Sequence, residues 1–230
     1  MPLAMASWDF LFSTQQRLGV TGGMLEIGVF QGKSAVLSAM YMAPEEPAFF
    51  LDLHDVPAAQ KRIASVKPDN AYFLKMNSVN ALRNHGLAAH RGSLRWVHID
   101  GEHTGYATAA DLQTAAYLLS ENGVICVDDF FSFKYPQLTA AVYQFLLNNP
   151  FSFKMFLLSA NKCYICRSNA VQMYDDSIRE RAIDDMQLAA NDWTLARTSY
   201  LHDFGCFSII RRNKDRDFVG LDRNLDAQVF

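Results

Sequence analysis

Two apolar runs in this chain stop at acids, Arg95-Trp-Val-His-Ile-Asp100 and Gly123-Val-Ile-Cys-Val-Asp-Asp129, and that pattern restricts the fold more than any other feature. In open parallel α/β sheets the ligand crevice lies just outside the carboxyl ends of the strands, so two successive strands would aim Asp100, Asp128 and Asp129 into one cleft. Carboxylates crowded in this way repel each other. Either some of them stay protonated or a hard divalent cation neutralises them, and oxygen ligands suit Mg²⁺ or Ca²⁺ better than Zn²⁺.

The rest of the chain alternates in the same rhythm. Met24 to Val29 reads as a buried strand, Lys33 to Tyr41 as a helix, Ala48 to Leu53 as a strand, Pro57 to Val66 as a helix and Ala71 to Met76 as a third strand. Leu94 to Ile99 follows as a strand, Thr104 to Ser120 as a long helix, Gly123 to Val127 as a fifth strand after a helix-ending Glu-Asn-Gly, and Gln137 to Leu147 as a helix. Such alternation predicts an α/β fold with a doubly wound, mostly parallel, Rossmann-like sheet. Beyond Asn148-Asn-Pro150 the rhythm changes: Phe151 to Leu158 and Lys162 to Arg167 read as a hairpin, which predicts an antiparallel edge. Residues 1–169 form the expected domain and 170–230 a C-terminal extension, in which a charged helix (Val171 to Ala190) leads to Cys206-Phe-Ser-Ile-Ile210 and a polar tail. An added edge strand, a cap over the cleft and a dimer contact are all open roles for it.

Composition narrows the partners. With 230 residues, 50% of them hydrophobic, the chain can fill one core, and a net charge of -3 with no Lys/Arg-rich run argues against nucleic acid. The opening Met-Pro-Leu-Ala-Met-Ala-Ser-Trp-Asp shows no secretory signal and no run of about 20 apolar residues follows, so a cytoplasmic protein without a membrane partner is expected. The four cysteines (Cys126, Cys163, Cys166, Cys206) include a Cys-Tyr-Ile-Cys pair. That pair lies on a strand, where residues three apart point to opposite faces, so buried thiols are expected rather than a redox or zinc pair.

The turn after the first strand, Leu25-Glu-Ile-Gly28-Val-Phe-Gln-Gly32-Lys-Ser-Ala, puts two glycines where a helix begins, and free amides there favour an anionic or polar ligand group. It is not a P-loop, because Ile27 stands where that motif needs glycine, nor a dinucleotide fingerprint, because Phe30 replaces its second glycine. Asp52 ends the second strand 24 residues after Gly28, near the spacing at which doubly wound folds hold ribose hydroxyls. Asp55 competes with it, and a purely structural turn with a solvated loop acid is the alternative.

These residues resemble a family, the class I S-adenosylmethionine-dependent methyltransferases, and within it the metal-dependent O-methyltransferases. Leu25 to Val36 is similar to the catechol-type first motif, which also lacks the middle glycine. Ile99-Asp-Gly-Glu-His-Thr-Gly-Tyr106 with Gly123 to Asp129 is similar to the metal-binding half of the macrocin and mycinamicin sugar O-methyltransferases. The resemblance spans residues from about 20 to 150. It implies that Glu26, Gly28 and Gly32 shape the methionine end of the cofactor site with Ser34 near the carboxylate, that Asp52 takes the ribose, that Asn77 and Ser78 border the adenine, and that Phe30 and Asp100 belong to the cofactor-binding set.

It further implies that Asp100, Asp128 and Asp129 bind Mg²⁺ or another hard cation, which would grip the acceptor oxygen. His103, three residues after Asp100, then holds the position of the catalytic base, with Glu102 as its competitor; His103 as a mere helix cap is the bland alternative. His98 is expected to be a satisfied core residue, His54 to border the cofactor acid, and His85, His90 and His202 to carry no constellation. Phe130-Phe-Ser-Phe133 either walls the acceptor pocket or packs ordinarily.

The sugar enzymes carry a long lid, whereas about twenty residues precede the first strand here, so a sugar, a phenol or a polar metabolite all fit as the small-molecule acceptor. A homo-oligomer is compatible with the sequence. Two other functions compete: a non-catalytic or regulatory S-adenosylmethionine or nucleotide-binding module, and a cephalosporin-hydroxylase-like enzyme. The latter lacks a 2-His-1-carboxylate signature here.

Overall fold

The structure, a computed structural model, describes residues 3–67, 69–197 and 204–212. The strands are β1 (Gly23–Ile27), β2 (Ala48–Asp52), β3 (Ala71–Lys75), β4 (Leu94–Ile99), β5 (Leu119–Val127), β6 (Phe153–Ser159), β7 (Lys162–Arg167), β8 (Trp193–Arg197) and β9 (Phe207–Arg211). They make one sheet in the order β3-β2-β1-β4-β5-β7-β6-β9-β8. The first five strands pair in parallel, while β5-β7, β6-β7 and β8-β9 are antiparallel. This is the mixed α/β, doubly wound arrangement the alternation predicts, with its antiparallel pairs gathered on one side.

Helices cover both faces. On one face α1 (Leu3–Arg17), α2 (Lys33–Met40), α3 (Pro57–Ala64) and α7 (Val171–Asp185) bury Met24, Phe50, Trp96 and Tyr164; on the other α4 (His85–Ala88), α5 (Gly105–Leu118) and α6 (Pro136–Asn148) bury Leu25, Val97 and Ile125. Each central strand is therefore apolar on both sides, as expected of parallel strands sandwiched between helices. The alternation carries Cys163 and Cys166 to opposite faces, and all four cysteines are buried. No helix among the described residues is long and apolar enough to cross a membrane.

Three elements depart from the sequence expectation. The first is α1, which the sequence reading passed over: its Trp8, Phe10, Leu11 and Phe12 are buried, but so are Ser7, Thr14 and Gln15, so no clean amphipathic stripe announces it. The second is the junction of α5 and β5. Glu121-Asn-Gly123 does not end a helix; α5 stops at Leu118, and β5 begins at Leu119, which pairs with Leu94 ahead of a register shift. The third is the C-terminal segment. The hairpin of β6 and β7, turned through Ala160 and Asn161 at φ of 50° and 57°, lies inside the sheet, because β9 adds in parallel to β6 and β8 closes the edge. Of the roles open to that segment, the strand at the sheet edge is the one observed; the polar tail from residue 213 lies outside the described residues.

Arg95 ties the α1 face together. Its guanidinium donates to both carboxylate oxygens of Glu46 (3.1 and 3.0 Å), to Gln15 Oε1 (2.8 Å) and to the carbonyl of Tyr41 (2.7 Å), while Gln15 Nε2 donates back to the Arg95 carbonyl (2.9 Å). Arg95 is 2% exposed and Glu46 8%, so removing one partner strands a buried charge. Arg95→Met is expected to cost about 3–5 kcal/mol in urea unfolding. The double variant Arg95→Met/Glu46→Leu should recover most of that loss, and a double variant no better than the single would contradict the assignment.

Candidate active site

The first glycine turn is shaped by close approach. Gly28, at φ 86°, has no room for a side chain, since a Cβ there would stand 2.0 Å from the backbone oxygen of Asp100. Gly32, at φ 74°, opens α2 and lies against Ala59. Between them Phe30 adopts φ 46° with its ring 78% exposed. Asp52 holds the turn: one carboxylate oxygen accepts from the amides of Val29 (3.0 Å) and Phe30 (2.9 Å), the other from the amide of His54 (2.9 Å). A cavity of about 80 Å³ opens beside it, lined by Gly28, Asp52, Met76, Asn77, Ser78 and Glu102. Asp55 is not part of it, being engaged with Lys75 at the surface (2.6 Å).

Beneath this turn a chain of charges runs across the sheet. Glu26 and His98 are partners in the β1–β4 register, and both are fully buried. Glu26 Oε1 accepts from Ser34 Oγ (2.6 Å), while its Oε2 lies 3.6 Å from His98 Nδ1. On the other side His98 Nε2 lies 3.6 Å from Asp128 Oδ2, which is also paired with the ammonium of Lys162. Burial alone would drive the His98 proton off, but the carboxylates of Asp128 and Glu26 outweigh it and raise the imidazole to about 9. Burial likewise opposes ionisation of Asp128, yet His98 and Lys162 hold it well below the ordinary carboxylate range. Asp100 moves the other way, pushed up to about 6 by burial and by the nearby charge of Asp128.

The second cluster joins Asp100 to Asp129 through His103. His103 Nε2 is 3.1 Å from Asp129 Oδ2 and 3.6 Å from Asp100 Oδ1. Its ring stacks on Tyr135 with centroids 4.1 Å apart, and its carbonyl accepts from Gln137 Nε2 (2.7 Å). His103 does not cap α5; Thr104 does, accepting from the amide of Ala107 (3.2 Å). Asp129 takes φ 52°, and its Oδ1 accepts from Asn161 of the hairpin turn (3.1 Å).

The three predicted strand-end acids therefore reach the same rim without forming one trio. Among the described residues the atoms that could share an ion fall into two sets, His98/Asp100/Asp128 and Asp100/His103/Asp129, each within 4.8 Å. Consecutive residues leaving a strand aim apart, so Asp128 turns to His98 and Lys162 while Asp129 turns to His103. Glu102 also separates from His103, since it lines the Asp52 cavity.

Sequence reasoning missed three residues here. His98 is no ordinary core histidine but the link between two acids, and its signal was register with Glu26 two positions before Asp100. Lys162 opens β7 directly after the hairpin turn, where the antiparallel return brings it to the ends of β4 and β5. Asp111, on α5, is fully buried and is pushed up to about 6, chiefly by burial and against the hydroxyl of Ser78. Of the aromatic run, Phe130 is buried against Tyr143, whereas Phe131 and Phe133 are exposed. The amide of His54 donates to Asp52, the ring of His90 packs at a tilt on Phe49, and His202 lies outside the described residues.

Residues 25–130, which hold Glu26, Asp52, His98, Asp100, His103, Asp111, Asp128 and Asp129, match the family described as Methyltransferase domain. This segment is a methyltransferase domain. It is of the class I, S-adenosylmethionine-dependent kind, and the protein that carries it is an enzyme. Solved structures share the fold of the methyltransferase domain. The O-methyltransferase NovP superposes with a TM-score of 0.55 at 15% identity, covering 68% of this chain and 76% of its own. CalS11, a TDP-rhamnose 3'-O-methyltransferase of calicheamicin biosynthesis, gives 0.54 at 16% identity, covering 70% and 80%. A putative rRNA methylase from Clostridium thermocellum gives 0.50 at 15%, covering 63% and 87%. No curated protein matches the sequence.

The His98 pair makes stability depend on pH in a definite direction. Because the folded imidazole titrates near 9 and the unfolded one near 6.5, its contribution is complete below pH 6.5 and is lost as pH rises through 9. Urea unfolding of the wild type between pH 6 and 10 should show a loss on the order of 3 kcal/mol that His98→Gln lacks. Equal slopes for the two proteins would contradict a charged His98.

Proposed function

We propose that the enzyme transfers the methyl group of S-adenosylmethionine to a hydroxyl of a small molecule. The observation that carries this reading is the placement of His103 between Asp100 and Asp129 at the strand ends, one residue from the cavity that Asp52, Asn77 and Glu102 line. The Asp52 cavity supports adenosine there, with Asp52 free to exchange an amide contact for a ribose hydroxyl, and Glu26 and Ser34 at the methionine end. The chain's similarity in fold to two O-methyltransferases is consistent with oxygen as the acceptor atom.

In the proposed step the acceptor oxygen attacks the sulfonium methyl in line; a C–O bond forms as the C–S bond breaks, and S-adenosylhomocysteine leaves. The hydroxyl proton goes to His103 Nε2. The resulting imidazolium is stabilised by the carboxylates 3.1 and 3.6 Å away, and Tyr135 keeps the ring in place. Glu102, which lines the cofactor cavity, is better placed for the adenosine than for the base. Asp100 and Asp129 fit a hard divalent cation, because their oxygens converge and Mg²⁺ is commonly held by one or two carboxylates plus water and substrate. When bound, such a cation would polarise the acceptor hydroxyl and lower its pKa. Asp128, neutralised by Lys162 and His98, stands behind them.

Calorimetry with S-adenosylhomocysteine should show binding that survives chelation of divalent cations; no binding would remove the methyltransferase reading. In a screen of hydroxylated small molecules for S-adenosylhomocysteine release, Asp100→Asn/Asp129→Asn should abolish turnover while leaving cofactor affinity within a few fold. His103→Ala should lower kcat by roughly 10² to 10⁴. An unchanged rate would shift the base away from His103.

A further inference from the structure

A second cavity, of about 240 Å³, opens between α1, the start of α2 and the start of β7, lined by Met5, Trp8, Leu37, Lys33, Ser34 and Lys162. Its walls are mostly apolar, and two ammonium groups face into it. Lys33 is exposed and makes no ion pair or hydrogen bond among the described residues. Lys162 is 11% exposed and lies 6.0 Å from the ring centroid of Trp8. An ammonium carries three donors, and among the described residues only Asp128 accepts from this one. The carboxylates nearby are already engaged: Asp128 by Lys162 and His98, Glu26 by Ser34 and His98.

We infer that this cavity binds the body of the methyl acceptor against Trp8 and an oxyanion of that acceptor, a carboxylate or a phosphate, between Lys33 and Lys162. The inference deepens the proposed function and rests on it. A flat or apolar body suits the Trp8, Met5 and Leu37 walls, and a largely desolvated ammonium held rigid by Asp128 gives a charge-assisted hydrogen bond at little entropic cost. Lys162 joins the cavity wall to Asp128, so an acceptor seated here would extend toward Asp100, Asp129 and His103, where the reacting hydroxyl belongs. Lys162 thereby acts as a specificity residue: a neutral analogue of the same shape leaves its spare donors unpaired in an apolar wall.

The test uses the full chain saturated with S-adenosylhomocysteine, whose own titration is run first. Benzoate, phenyl phosphate and benzamide are then titrated by calorimetry and by competition. At least one of the two anions should bind about tenfold or more tightly than benzamide, and which of them leads identifies the oxyanion. Lys162→Met should erase that preference, and Lys33→Met, at an exposed position, should reduce it even if the buried substitution impairs folding. Equal binding of benzamide, no binding of either anion at millimolar concentration, or a preference that survives both substitutions would overturn the inference. Failure of S-adenosylhomocysteine to bind would instead count against the proposed function.

Discussion

The structure depends on an alternation of buried charge, Lys162–Asp128–His98–Glu26, laid across four neighbouring strands. None of these groups could be buried ionised by itself, because an uncompensated charge in a protein interior costs several kcal/mol. Together two cations and two anions cancel, and the sheet order supplies the geometry: β1, β4, β5 and β7 are adjacent, so each charge meets the next. The parallel register sets Glu26 opposite His98, and the hairpin returns Lys162 to the strand ends. Trp8 of α1 seals the imidazole from above, edge-on at 4.7 Å.

That chain decides what the rim can do. It consumes Asp128, which would otherwise repel its neighbours, and leaves Asp100 and Asp129 grouped around His103, where the proposed reaction would take place. The two cavities then fall on opposite sides of the same rim. One lies beside Asp52 and Asn77, where the proposed function seats the adenosine; the other lies beside α1 with two ammonium groups at its wall. Lys162, one of the two groups that balance Asp128, also lines the second cavity, so charge neutralisation within the sheet and the proposed ligand binding at its edge share a residue.

Much of this was legible in the residues. Apolar runs ending in acids located β4 and the end of β5 and brought their carboxylates to one rim, and the Gly28–Gly32 turn met Asp52 as its spacing implied. Local pattern failed where tertiary contact overrode it. Helix α1 buries Ser7 and Gln15 as partners of other chain segments, which blurs its periodicity. The end of α5 was misplaced because Glu121-Asn-Gly123 looks like a helix stop, while pairing of Leu119 with Leu94 draws it into β5. The parting of Asp128 from Asp129 follows from strand geometry, but which way each turns depends on Lys162, far along the chain, and no short-range signal carries that. His98 was undervalued for the same reason: its partners come from β1 and β5.

The most direct measurement is a crystal structure of the chain grown with S-adenosylhomocysteine and Mn²⁺, with the ion located by its anomalous scattering. The account predicts a single ion between Asp100 and Asp129, the ribose on Asp52, and Lys162 still paired with Asp128. An ion ligated by Asp128 with Lys162 displaced, or cofactor bound away from Asp52, would contradict it.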